Sequence, residues 1–175
     1  MTEGAAGDPE GLSGDADDLP DEQAFLPEGI RIRTAGPDDR LDVVRVLDGA
    51  MLQTNEIPER IEADDVLVAV AERGTGDDAE RGAETVVGAA VLETRGEDRH
   101  LDAVAVRRAR RDRGIGSALV VRAVRDARVL VGVSRVTAEF DADLREFYAG
   151  LGFAVEPVSV EGGVSPERLR GTLPL

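Results

Sequence analysis

The stretch Arg110–Val120 reads RRDRGIGSALV, three arginines and two glycines set directly before an apolar run. A strand that stops, glycines that free the backbone and a helix that begins make a corner with unpaired N–H groups and a partial positive charge. An anion is stabilised at such a corner, and a pyrophosphate fits it. Two phosphate motifs are excluded or incomplete. The P-loop needs a lysine, and all 21 basic residues of this chain are arginine. The dinucleotide fingerprint wants a small residue at its last position, where this chain has Leu119. A nucleic-acid surface on Arg107, Arg108, Arg110, Arg111 and Arg113 would lack interleaved aromatic platforms.

Few other side chains invite chemistry. His100 is the sole histidine and Tyr148 the sole tyrosine. His100 and Asp102 lie two apart on one predicted strand, so they are expected on one face, shared with Val104. Glu139 lies on the following predicted strand. No cysteine is present, which removes disulfides, thiolate metal sites and cysteine nucleophiles, and one histidine leaves little for a metal.

The elements that must position these groups follow from periodicity. IRIRTA (30–35) alternates as a strand, and GPDDRLDVVRVLDGAML (36–52) reads as a helix with Leu41, Val44, Leu47 and Met51 as its buried stripe. QTNEIPERIEADD (53–65) is expected to be loop with a short helical turn. VLVAVAE (66–72) and ETVVGAAVLET (84–94) form a predicted hairpin, and HLDAVAV (100–106) is a third strand in series. A helix follows from about Ile115 to Arg128, with Ala118, Leu119, Ala123 and Val124 inward and Arg122, Arg125 and Arg128 outward. SRVTAEF (134–140) is a strand. DADLREFYAGLGF (141–153) is a helix capped by Asp141, with Leu144, Phe147, Tyr148 and Leu151 on one face. AVEPVSV and RGTLPL supply edge strands. The fold class is α/β, a mixed sheet in one layer with helices on both sides.

The net charge is −15 and the pI near 4.4. The mean field repels polyanions, so no nucleic acid and no anionic membrane surface is expected as partner. Arginine without lysine amid 36 acids looks like the composition of proteins from salt-loving cells. Nine of the acids and no base lie in Met1–Gly29, read as a disordered acidic tail, with one domain over 30–175. No apolar run approaches the roughly 20 residues that span a bilayer, and the first residues are acidic where a signal peptide is basic. A cytoplasmic protein is expected.

VAVRRARRDRGIGSALV resembles the acetyl-CoA signature of the GCN5-related N-acetyltransferases (GNAT), in which R/Q-x-x-G-x-G/A opens a long helix after a strand. Arg111-Asp112-Arg113-Gly114-Ile115-Gly116 fits it. A second element, a tyrosine four residues before the glycine of a GF pair, is similar to Tyr148 and Gly152-Phe153. The resemblance covers about Ile30 to Phe153 and implies the GNAT fold, a mostly antiparallel central sheet flanked by helices.

What it implies for chemistry is acetyl transfer from acetyl-CoA, as co-substrate, to an amine of a small molecule or peptide by direct attack, with no metal. Val104, Ala105 and Val106 would pair their backbone with the pantetheine arm, and the amides from Asp112 to Ser117 would hold the pyrophosphate. An amide near Val104 would face the thioester oxygen. Tyr148, with an ordinary pKa near 10, would give the departing thiolate its proton. His100 is the candidate base or relay, since HLD here stands where some arylalkylamine acetyltransferases have HLH, with Asp102 replacing the second histidine. Glu139 is the reserve base. Many members place asparagine where this chain has Asp141, a cofactor contact in the family and a helix cap by residue type. The assembly is expected to be a monomer or homodimer. A GNAT-fold module that binds CoA without turnover, as sensor or scaffold, is the alternative function.

Overall fold

The computed structural model describes residues 19–52, 54–72, 84–160 and 163–175. Seven strands, β1 Ile30–Thr34, β2 Val66–Ala71, β3 Thr85–Arg95, β4 Asp98–Val106, β5 Arg135–Asp141, β6 Ala154–Val160 and β7 Gly163–Pro174, form one sheet in the order β1-β2-β3-β4-β5-β7-β6. Every neighbouring pair is antiparallel except β4 with β5. Helices α1 (Arg40–Asp48) and α2 (Ile57–Glu62) pack on one face, and α3 (Ile115–Ala127) and α4 (Arg145–Gly150) on the other. The two covers explain why β2, VLVAVA, is apolar at every position rather than alternating.

α3 buries Ala118, Leu119, Ala123 and Val124, the stripe its periodicity predicts. It lies close to the sheet because Gly88 of β3 has no side chain. A Cβ there would come within 3.2 Å of the Ala105 carbonyl oxygen, Ile115 Cγ2 and Leu119 Cδ1.

The structure corrects three expectations. The α1 stripe is Val43, Val46 and Leu47, while Leu41 and Met51 are 66% and 91% exposed. Pro37–Asp39 is a 3-10 turn, so the α-helical phase starts at Arg40, and Met51 lies past the helix end with φ 58°. β7 is no edge strand but lies between β5 and β6, antiparallel to both. Arg122 and Arg125 lie on the outward face but not in open solvent, since both pair with Glu22.

The third correction concerns the stretch expected to be disordered through Gly29. Residues 1–18 lie outside the described residues, but from Leu19 on the chain is packed. Leu19, Phe25 and Leu26 rest on the α3-side core, and Glu22 is buried against Arg122 and Arg125 at 3.4 and 3.0 Å. Apolar groups and a charge partner on α3 supply what an acidic segment alone lacks.

β4 and β5 pair only over Asp98–Leu101 and Arg135–Ala138. Beyond those residues β4 bonds β3 alone and β5 bonds β7 alone, so an opening lies between them. A β-bulge at Asp102, where the β3–β4 register shifts, marks the start of the separation.

Gly88→Ala tests the close approach of α3. Its neighbours are backbone and fully buried side chains, so overpacking is expected to cost about 1–3 kcal/mol. Urea unfolding that returns wild-type stability would show that α3 is free to move away.

Candidate active site

β4 ends at Val106, and a 3-10 turn, Arg108–Arg110, leads to the corner. Asp112 and Gly114 adopt positive φ, 59° and 80°. Gly114 is required twice over, because any Cβ would also run into the Phe25 carbonyl oxygen. Gly114 takes the N-cap position of α3, and no side chain caps the helix. The orphan N–H groups of the first turn are left for something else.

They border a cavity of about 300 Å³. Ile115, Gly116 and Ser117 form its corner end, Val104 and Val106 one wall, and Leu144, Phe147 and Tyr148 the other. Exposed Arg110, Arg111 and Asp112 complete the lining, with Arg111 Nε donating to the Val106 carbonyl at 3.1 Å. A Cβ on Gly116 would lie 3.8 Å from both Phe147 Cζ and Val106 Cγ2, inside the cavity these two line.

Tyr148 is 5% exposed, stacked on Phe140 at 4.0 Å between centroids and set edge-on to Phe147 and Phe153. No hydrogen bond ties its hydroxyl to another described residue, and no fully buried polar side-chain atom among these residues lacks a partner. The hydroxyl therefore opens into the cavity. Burial pushes its pKa up to about 12.

The other titratable candidates lie across the sheet. Val136, Ala138 and Phe140 of β5 pack on the α3 side, so the alternate residues Thr137 and Glu139 face the α1–α2 side. His100, 8% exposed, is joined there through Nδ1 to Thr137 Oγ1 at 2.9 Å. Asp102 is 3.7 Å from Arg60 of α2 and 3.9 Å from Arg95. Glu139 is held by Arg170 at 2.5 Å, whose guanidinium keeps the carboxyl below its usual range.

His100 and Asp102 therefore do not share a face with Val104. Leu101 and Val104 belong to the α3-side core and Ala103 and Ala105 to the α1-side core. Simple alternation would put Leu101 and Ala103 together. The extra residue at the bulge reverses the faces of everything after it.

Val104, Val106, Arg111, Asp112, Gly114, Ile115, Gly116, Ser117 and Tyr148 are brought together at the cavity. Ala105 turns its side chain to the opposite core, and Arg113 is exposed outside the lining. Asp141 neither lines the cavity nor caps the turn Ala142–Leu144 through its side chain; it accepts from Arg168 at 3.0 Å. Sequence reading passed over Thr137 and Arg170. Their only signal was alternation with Val136 on β5 and a cross-strand opposite charge to Glu139. Among the described residues no helix is long and apolar enough to cross a membrane, and no group of three or more acids or histidines is placed to hold a metal ion.

The fold is that of solved acetyltransferases. A GNAT-family structure from Desulfovibrio desulfuricans shares it at 25% identity and TM-score 0.57, covering 83% of this chain and 97% of that one. Rv2747 of Mycobacterium tuberculosis, solved in complex with CoA, matches at 23% identity, TM-score 0.59 and 83% and 99% coverage. NAA60 of Arabidopsis thaliana, solved with acetyl-CoA, matches at 15% identity, TM-score 0.65 and the same coverages. No curated protein matches. The model of the acetyltransferase (GNAT) family matches residues 47–153, and the chain belongs to that family.

Burial, followed by the charge of Arg95, holds His100 below its ordinary value of 6.5 against the opposing pull of Asp102, Glu139 and Glu93. The unfolded chain takes up a proton here before the folded chain does, so stability falls as pH drops below about 6.5. Carboxylates held low by arginine, such as Glu139, lose their contribution only below about 4.5. The urea midpoint of the wild type is expected to fall between about pH 7 and 5.5, and that of His100→Gln to fall less. Parallel curves would show that His100 is not kept neutral by burial.

Proposed function

We propose that the protein is an acetyl-CoA-dependent N-acetyltransferase acting by direct attack of an amine. The observation that carries this reading is the uncapped start of α3 facing a cavity that holds the Tyr148 hydroxyl, in a chain of the GNAT family. The space above Gly116 is one that a single Cβ would enter, which suits a ligand lying against backbone N–H groups.

Ile115, Gly116 and Ser117 would hold the pyrophosphate, with Arg110 and Arg111 adding charge at the rim. Val104 and Val106 would carry the pantetheine arm on the β4 edge that β5 leaves free. Bound acetyl-CoA supplies a thioester, whose C–S bond breaks as the amine's N–C bond forms.

His100 takes the ammonium proton. Being held neutral, it has a free lone pair on Nε2 in the tautomer whose Nδ1–H donates to Thr137. Glu139 is the weaker base, because Arg170 stabilises its charged form. Tyr148 is the donor toward the departing thiolate. Its raised pKa makes it a weaker acid than an ordinary tyrosine, but the same apolar cavity also raises that of the thiol, near 8.5 in water.

Gly116→Glu would put a carboxylate in the pyrophosphate seat, while an acid in the first turn favours the helix itself. Calorimetry is expected to show no acetyl-CoA binding at a protein concentration where the wild type saturates. Unchanged affinity would move the seat elsewhere.

Tyr148→Phe keeps the ring stacked on Phe140 and removes a hydroxyl that has no partner among the described residues, so stability should change by less than about 1 kcal/mol. Turnover, followed as free CoA thiol, is expected to fall by roughly 10²–10⁴ with acetyl-CoA affinity retained. Normal turnover would remove the donor role. A wild type that binds acetyl-CoA and releases no thiol with any amine would be a CoA-binding module instead.

A further inference from the structure

A further cavity, on the α1–α2 side, has about 360 Å³ and a floor of strands in register. The registers sort its charges into rows. Across the middle run His100, Thr137 and Thr172. Two residues toward the β4–β5 opening run Glu139, Arg170 and Glu156. Two residues the other way run Arg95, Asp98 and Arg135. All nine line the cavity.

The row at the opening carries two carboxylates and one guanidinium, and the far row carries two guanidiniums and one carboxylate. The cavity is thus a fixed dipole, negative where acetyl transfer takes place and positive about 7 Å beyond the His100 row. Arg135 pairs with Asp98 and Arg95 with Glu93, yet each guanidinium has five donors and can bind a second carboxylate.

We infer that the acceptor is a small zwitterionic amine, its ammonium toward Glu139 and Glu156 and its carboxylate on Arg95 and Arg135; this rests on the acetyltransferase reading above. A cavity of this size suits a metabolite. A cationic peptide would set like charges against three arginines, and a plain alkylamine would leave the positive row unanswered. His100, in the row between, is within reach of the ammonium proton it must take before the N–C bond forms. The thiolate released from the broken C–S bond takes its proton from Tyr148.

The test measures thiol release from acetyl-CoA with matched acceptors: β-alanine against ethylamine, γ-aminobutyrate against propylamine, and a short basic peptide amide. The carboxylate-bearing member of at least one pair is expected to show a kcat/KM about tenfold or more higher. That advantage should shrink toward parity in Arg135→Gln and in Arg95→Gln, the latter at a half-exposed site where folding is not at stake. Equal rates within every pair, or the peptide as best acceptor, would overturn the zwitterion and leave the acetyltransferase standing. Acetyl-CoA binding without thiol release from any acceptor would overturn the acetyltransferase reading and this inference with it.

Discussion

Past Leu101 and Ala138 the backbones of β4 and β5 no longer reach one another, and everything distinctive about the molecule follows from that separation. Backbone N–H and C=O groups on the free edge of β4 need partners, and an open edge inside a sheet is costly unless something answers it. One answer is internal, Arg111 Nε on the Val106 carbonyl. The rest remain for water or an extended ligand. The bulge at Asp102 supplies the bend, and the antiparallel pairing of β5 with β7 through Asp141 supplies the pull in the other direction.

An anion site in a chain of net charge −15 must be built locally. Most arginines are committed to nearby acids, such as Arg33 to Asp39, Arg122 to Asp126 and Arg170 to Glu139. Such exposed or half-buried pairs contribute little each to stability. Arg110 and Arg111 have no carboxylate partner among the described residues, and both stand at the corner. With the α3 N-terminus they make a positive spot whose field is short-ranged in salt and strong at contact. The acidic composition and this positive spot are compatible because they act over different distances.

The corner, α3 and the succession of strands and helices along the chain were legible because each rests on local pattern: alternation, a 3.6-residue stripe, glycines between them. The faces of β4 were not, because alternation assumes a regular strand and nothing in HLDAVAV announces an inserted residue. The α1 stripe slipped because the 3-10 turn at Pro37–Asp39 changes the phase before the helix starts. The segment at Leu19–Gly29 was misread from its charge. Its signal was Phe25-Leu26 amid acids, which becomes meaningful only once Arg122 and Arg125 of α3 stand opposite Glu22. Non-local partners decided the outcome in each case where local reading failed.

The bulge also divides the labour between the two faces of the sheet. Had β4 been regular, His100, Asp102 and Val104 would crowd one side, and a proton acceptor would stand in the apolar cavity of Tyr148. Reversing the strand after Asp102 leaves Val104 and Tyr148 in apolar surroundings, where a hydroxyl stays protonated, and His100 among charged groups on the other side. The tyrosine hydroxyl and the imidazole are thereby kept in environments of opposite character. The opening between β4 and β5 is the place where the two environments meet, so a reaction needing both has one location in this fold.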